Sequence, residues 1–390
     1  INALDMSELD GIAAEIGAAG INTIAISSIF SPVNDAMERQ AMEQFKKRLP
    51  DANFTLSSEI GRLGILEREN AAIMNASLRA LSAKTVQAFT KALAQVGLTC
   101  PYYITQNDGT LMNRDFVQAY PVLTFASGPT NSMRGASFLS GESDAIVVDI
   151  GGTTTDVGAL VKGFPRQAST TVDVGGVRTN FRMPDVYSIA LGGGTIVAGE
   201  GDAMTVGPRS TGYRILKEAL VFGGETLTAT DVVTGLGLAD VGDASKVAGV
   251  NMTRLETAKA KIDEMVHNAV ERMRVSPDPI PILAVGGGSI LMPDMMGDLK
   301  VIRPNHYSVA NAVGAAIGQI SGEVDRIFSL ASTTREAALA EARTEATNKA
   351  IAAGARPDSI ELLDQEDVPL AYLPGGATRI RLKVVGSMND

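Results

Sequence analysis

Asp149-Ile150-Gly151-Gly152-Thr153-Thr154-Thr155-Asp156 is the stretch on which the reading of this chain turns. Apolar runs lie on both sides of it, Ala145-Ile146-Val147-Val148 before and Val157-Gly158-Ala159-Leu160-Val161 after. Each run is short, β-branched and bounded by turn residues, which predicts two strands joined by a tight glycine turn. Gly151 and Gly152 are expected to take positive φ and turn their N–H groups into the bend. Successive amides in such a bend form a nest that attracts anions, phosphate above all. Asp149 and Asp156 flank the turn. Asp149, at the strand end, is placed to hold a hydrated Mg²⁺ beside that phosphate, since this ion keeps most of its waters. The alternative is an ordinary hairpin with Gly-Gly in its turn.

Two glycine triplets extend the pattern. Leu191-Gly192-Gly193-Gly194-Thr195 allows close approach of a ligand to backbone, and the Thr195 hydroxyl can donate to phosphate; a plain flexible loop is the alternative. Ala284-Val285-Gly286-Gly287-Gly288-Ser289 follows a predicted strand, Ile280 to Val285, and leaves room for a nucleoside lying across the backbone. It is not a dinucleotide fingerprint, because the Gly-x-Gly-x-x-Gly spacing is absent. Asp185 reads either as a metal or water ligand or as a turn residue, and Asp231 either as a helix cap, the favoured reading, or as a carboxylate in the cleft. Ala126 to Ser132 is either a helix N-terminus able to take an anion or a capped loop. Ala310, Gly314 and Gly318 recur four residues apart, a spacing for close helix packing.

Around these stretches, helices are expected near residues 9–16, 35–49, 66–96, 253–274, 308–320 and 334–352. Strands are expected at 21–30, 53–57, 102–106, 280–285 and 379–385. Alternation of the two favours an α/β class with mainly buried sheets. At 390 residues the chain suggests two or three domains. Its charge of −10 argues against nucleic acid or an acidic membrane as the main partner. Cys100 is the only cysteine, so an intramolecular disulfide is impossible and a cytoplasmic setting is expected. With two histidines, His267 and His306, a structural zinc site is not expected. A Walker loop and a Gly-x-Ser-x-Gly elbow are both absent.

The strand–Asp–Gly-Gly-Thr–Asp hairpin, the later Gly-Gly-Gly-Ser turn and the Ala310-Asn311-Ala312-Val313-Gly314-Ala315-Ala316 helix resemble the second half of the actin/sugar-kinase/heat-shock ATPase superfamily. More closely, the chain resembles the hydantoinase A/oxoprolinase family. Leu56 to Glu59, Glu67 to Asn75, Ser127-Gly128-Pro129, Asp149 to Asp156, Asp185 to Thr195, Gly207-Pro208 and Thr230-Asp231 carry that resemblance. It implies an α/β, actin-like (ribonuclease H-like) two-lobed ATPase fold. The divisions would be a remainder of the N-terminal lobe at 1–140, an ATPase lobe at 141–322 and a helix-and-strand extension at 323–390. It also implies ATP-dependent hydrolysis of a cyclic amide, a hydantoin or 5-oxoproline-like lactam, through phosphorylation of the carbonyl oxygen.

On that reading ATP and Mg²⁺ are the cofactors. Asp149 holds the metal; Asp149, Asp156 and Thr153 act in catalysis. Gly151, Gly152, Thr153 and Thr154 cradle the phosphates, Gly193, Gly194 and Thr195 face the same cleft, and Gly286, Gly287, Gly288 and Ser289 flank adenosine. A hydantoinase B-like subunit is the implied partner, with room for a homo-oligomer. The chain departs from the family in two places. A first Asp-x-Gly-Gly-Thr motif is missing before Asp149, from which a truncated N-terminus is expected. Asp185-Val186-Tyr187 also replaces an Asp-x-His segment. A nucleotide-dependent activator and an actin-like assembly protein are the alternative functions.

Overall fold

The computed structural model describes residues 3–168, 171–276, 278–370 and 376–388. Their chain contacts divide the protein into two compact units of mixed α/β structure. One comprises residues 1–125, 168–183 and 318–390, the other residues 126–167 and 184–317. Both units are assembled from discontinuous segments, whereas the sequence reading divides the chain into consecutive ones. Residues 140–144, read as a boundary, link a helix to a strand inside the second unit.

The second unit is built on the sheet that carries the hairpin. Ala145–Ile150 and Thr155–Val161 pair antiparallel, Val186–Ile189 adds to the outer side, and Ile282–Val285 then Leu299–Ile302 follow in parallel. Because side chains alternate along a strand, the central strand splits its residues between two cores. Ile146, Val148 and Ile150 join Ile282 and Ala284 under the helix Met252–Met273. Its buried stripe of Leu255, Ile262, Val266, Val270 and Met273 follows the helical period expected from sequence. Ala145 and Val147 join Leu283 and Val285 on the other face, against Met133 and Ala136 of the helix Ser127–Ser140 and Ala310 of the short helix Ala310–Ala316. Asp149 shares the parity of Ala145 and Val147. Its side chain therefore belongs to this second face.

Helices Ser127–Ser140 and Ala310–Ala316 meet at backbone distance. A Cβ on Gly135 would overlap the Ala310 carbonyl, and one on Gly314 the Asn131 carbonyl. The small-residue spacing noted in sequence thus serves a helix pair, except that Gly318 lies beyond the helix and packs on Leu111. The helix expected over 308–320 is shortened to seven residues.

In the first unit, Ile320–Ser329 and Ala377–Gly386 pair antiparallel over ten residues, with Glu361–Pro369 outside and Leu111–Asn113 and Tyr103–Thr105 on the other side. Val324, Phe328, Ile380, Leu382 and Val384 form an apolar face beneath the helix Arg335–Ala352, whose Ala338, Ala342, Ala346 and Ala350 are fully buried. Alanine every fourth residue lets that helix lie on the sheet; a Cβ at Gly322 would meet the Ala346 carbonyl. Thr23–Ile26 and Asn53–Leu56 form a separate parallel pair. The 31-residue helix Ile65–Gln95 is continuous where sequence left one helix or two.

Candidate functional site

The hairpin forms as expected, with Asp149 and Asp156 in register across it. The N–H of Gly151 closes the turn onto the Thr154 carbonyl at 2.9 Å. Gly152, Thr153 and Thr154 are exposed. Their amides have no acceptor among the described residues. The expected positive φ at Gly151 and Gly152 is not adopted; neither is among the residues with left-handed backbone. Hydrogen bonds from outside the turn hold it as well.

Those bonds come from the first glycine triplet. Gly193 donates to the Gly151 carbonyl at 3.0 Å and Gly194 to that of Gly152 at 2.8 Å. Gly192 lies flat against the bend, and Gly194 is hemmed by the Thr211 hydroxyl and the Gly152 carbonyl. Residues Leu191 to Thr195 are all buried. The Thr195 hydroxyl accepts from the Gly192 amide at 2.7 Å and is itself inaccessible. Gly193, Gly194 and Thr195 therefore brace the bend rather than face an open cleft. Their polar groups are already committed.

The second triplet abuts the hairpin at the Asp149 end. Gly286 has φ 83°, and a Cβ there would overlap the Asp149 Oδ1 atom and the Ile150 carbonyl. Gly288 packs on Ile150 and the Gly151 carbonyl. Gly287 is exposed with open space above it, whereas Gly288 and Ser289 are buried. The Ser289 hydroxyl has no partner among the described residues. Of the four residues expected to flank adenosine, Gly287 alone is exposed, with Gly286 half-buried. The triplet runs into a 3₁₀ turn, Gly287–Leu291.

Asp149 is half-buried, and desolvation pushes its carboxyl above the usual range; Asp156 adds to this, while a hydrogen bond from Ser132 opposes it. The Ser132 hydroxyl accepts from Asn311 Nδ2 at 3.2 Å, and the same nitrogen donates to the Gly128 carbonyl at 2.8 Å. Ser188, the register partner of Asp156 on the neighbouring strand, donates to the Asp156 carboxylate. Thr155 anchors the hairpin to the Leu191 carbonyl at 2.7 Å. Ser188 was not legible as a site residue. Its role follows from strand register, which leaves no local mark in sequence.

Other candidates resolve into structure. Asp185 pairs with Arg166 at 2.8 Å. Asp231 closes a capping box with Thr228 and accepts from the Val221 amide, as its reading as a cap requires. Ala126 to Ser132 does open a helix, with Ala126 at the N-cap and no side-chain cap. His267 is exposed on its helix. Among the described residues no three His, Cys, Asp or Glu side chains gather into a metal cluster. None of the described helices is long and apolar enough to cross a membrane.

A family model described as hydantoinase/oxoprolinase matches residues 68–243, a span that holds the hairpin and the first glycine triplet. Over those residues the chain is similar to the hydantoinase/oxoprolinase family. The caprolactamase subunit alpha of Pseudomonas jessenii is 26% identical over 264 residues, covering 65% of this chain and 38% of that protein. The acetophenone carboxylase gamma subunit of Aromatoleum aromaticum is 25% identical over 339 residues, 77% of this chain and 46% of that protein. The chain thus spans less than half the length of these relatives. The crystal structure of the ATP-dependent caprolactamase from Pseudomonas jessenii superposes with a TM-score of 0.77 at 17% identity, over all of this chain and 68% of that one. This likeness establishes a shared fold.

Proposed function

We propose that this hydantoinase/oxoprolinase relative uses ATP to open a cyclic amide of the hydantoin or 5-oxoproline kind. One observation carries the reading. The exposed bend Gly152–Thr154, with three unclaimed amides and two free hydroxyl-bearing side chains, is braced from behind by Gly193 and Gly194 and stands beside the paired carboxylates Asp149 and Asp156. Phosphoryl transfer asks for positioning and charge neutralisation more than for covalent groups, and this bend offers both.

In this scheme Gly152, Thr153 and Thr154 receive the terminal phosphate oxygens, Asp149, Asp156 and Thr153 act on the reacting phosphate, and adenosine lies toward Gly286 and Gly287. The γ-phosphoryl group passes to the amide carbonyl oxygen and ADP leaves. Water then adds to the activated carbon, the ring C–N bond breaks and phosphate departs. The residues fit Mg²⁺ as its usual site does, through one or two carboxylates with water and phosphate completing the shell. Bound there, the ion would neutralise phosphate charge, with Asp149 as its protein ligand. Relatives named as alpha and gamma subunits support a partner chain, of the hydantoinase B type. We place the activity in the cytoplasm, consistent with a single cysteine, Cys100.

Purified protein, alone and with a candidate partner subunit, should release ADP faster when hydantoin or 5-oxoproline is added, and Asp149→Ala should abolish the release while leaving the circular dichroism spectrum intact. Nucleotide-driven filaments with no response to any cyclic amide would overturn the proposal in favour of an assembly protein.

A further inference from the structure

A cleft of about 820 Å³ opens in the second unit beside the tip of the bend. We propose that it is a subsite for a carboxylate carried by the cyclic amide, so that acidic lactams are favoured over neutral ones. The proposal rests on the phosphate-site reading above and adds to it a determinant of substrate choice.

Position is the first argument. Contacts along the bend follow chain order: Gly286 lies against Asp149 and Ile150, Gly288 against Gly151, and Gly194 against the Gly152 carbonyl. Ser210, whose hydroxyl donates to that same carbonyl at 3.4 Å, is also a wall of the cleft. With adenosine toward Gly286 and Gly287, the cleft therefore stands at the other end of the phosphate site. Phosphoryl transfer runs roughly in line, with the accepting oxygen opposite the leaving one. The cleft is on the accepting side. Its size also suits a small molecule, for which sites span about 300–1,000 Å³.

Charge selects the occupant. Arg209, Arg214 and Lys217 line the cleft together with Glu218 and Glu225. Arg214 is paired with Glu218, whereas Arg209 and Lys217 form no ion pair among the described residues. Two exposed cations thus stand against the single unpaired carboxylate of Glu225, in a chain whose overall charge is −10. A nucleobase would ask for flat apolar walls, and among the described lining residues Ile196 is the one apolar side chain. The wall behind the cations is stitched into shape. Thr226 donates to the Glu218 carbonyl and Gly224 to that of Ala219, each at 2.9 Å, and a Cβ on Gly224 would overlap the Glu218 backbone. A wall fixed in advance spares the ordering cost of binding.

The test is isothermal titration of 5-oxoproline into the full chain with a non-hydrolysable ATP analogue present. 2-Pyrrolidinone, the same ring without the carboxylate, is titrated alongside. 5-Oxoproline should bind at least tenfold more tightly and lose affinity as salt is raised. Arg209→Gln and Lys217→Gln, both exposed substitutions, should each weaken 5-oxoproline about three- to tenfold and leave 2-pyrrolidinone and the ATP analogue as in the wild type. No binding of 5-oxoproline, equal affinity for the two rings, or variants that bind 5-oxoproline as the wild type does overturns the proposal. Variants that lose the ATP analogue instead assign the cleft to a nucleotide phosphate and overturn it too. If 5-oxoproline binds through these residues yet drives no ADP release from ATP, the subsite stands and the hydrolysis reading above falls.

Discussion

Gly192 lies against the peptide joining Gly152 to Thr153, and a Cβ on Gly192 would sit 2.5 Å from both the Gly152 carbonyl carbon and the Thr153 nitrogen. The obstacle is backbone and cannot rotate away. Gly192→Ala should therefore displace the bend, costing about 1–3 kcal/mol as overpacking does and weakening a fluorescent ADP analogue at least tenfold. Gly152→Ala, with nothing within 4 Å of its new methyl and no positive φ, should fold like the wild type. Equal nucleotide affinity in Gly192→Ala would show that the bend is not the binding element.

Asp149→Asn separates function from stability. Burial raises the Asp149 carboxyl pKa above its ordinary value of 3.8. Between those two values the folded state holds more protons than the unfolded one, so stability falls as pH rises through the window and stays lowered above it. The asparagine variant lacks that loss. It should melt higher than wild type at pH 7 to 8, with the gap closing toward pH 4, and should hydrolyse no ATP. A lower melting temperature at neutral pH would contradict the buried-carboxylate account.

Asp108 and Lys383 form the opposite case. Their 2.6 Å ion pair is buried. Burial by itself raises the Asp108 carboxyl, but Lys383 and two hydrogen bonds from Thr110 prevail and hold it down to about 2. Stability from this group is complete above pH 3.8 and is lost as pH falls through 2. At roughly 1.4 kcal/mol per unit that is on the order of 2 kcal/mol. Asp108→Asn removes the charge that faces the buried Lys383 ammonium and should cost more, about 3–5 kcal/mol. Urea titrations at pH 7 and pH 3 would show the loss shrinking in acid.

Gly314→Ala forces the helices Ser127–Ser140 and Ala310–Ala316 apart, because the new methyl meets the Asn131 carbonyl. A loss of about 1–3 kcal/mol is expected from the strain. Thermal melting would show it, and Gly128→Ala, with open space at its Cβ, is the control that should melt as the wild type does.

Much of this was legible where the period of the side chains carried the signal. Met252–Met273 and Ile65–Gln95 fall within a residue of their expected bounds, because long runs of strong helix formers leave little ambiguity. The hairpin was legible from two short β-branched apolar runs bounded by turn residues. The short helix at Ala310 was overextended: alanine and glycine suit several conformations, and Ile320 already begins a ten-residue strand. The polar strand Glu361–Pro369 left no alternation to read.

Residue chemistry along the chain therefore determined that two acidic groups would flank a glycine bend and that the bend would lie between buried strands. Tertiary structure decided which polar groups remain available there. The amides of Gly193 and Gly194 and the hydroxyl of Thr195 are spent on the bend and its own loop, while those of Gly152, Thr153 and Thr154 are not. It also decided what confines Asp149, since strand pairing brings Gly286 against its Oδ1 atom. A donor is spent or free according to which acceptor packing brings within about 3 Å, and that distance is set by the whole fold.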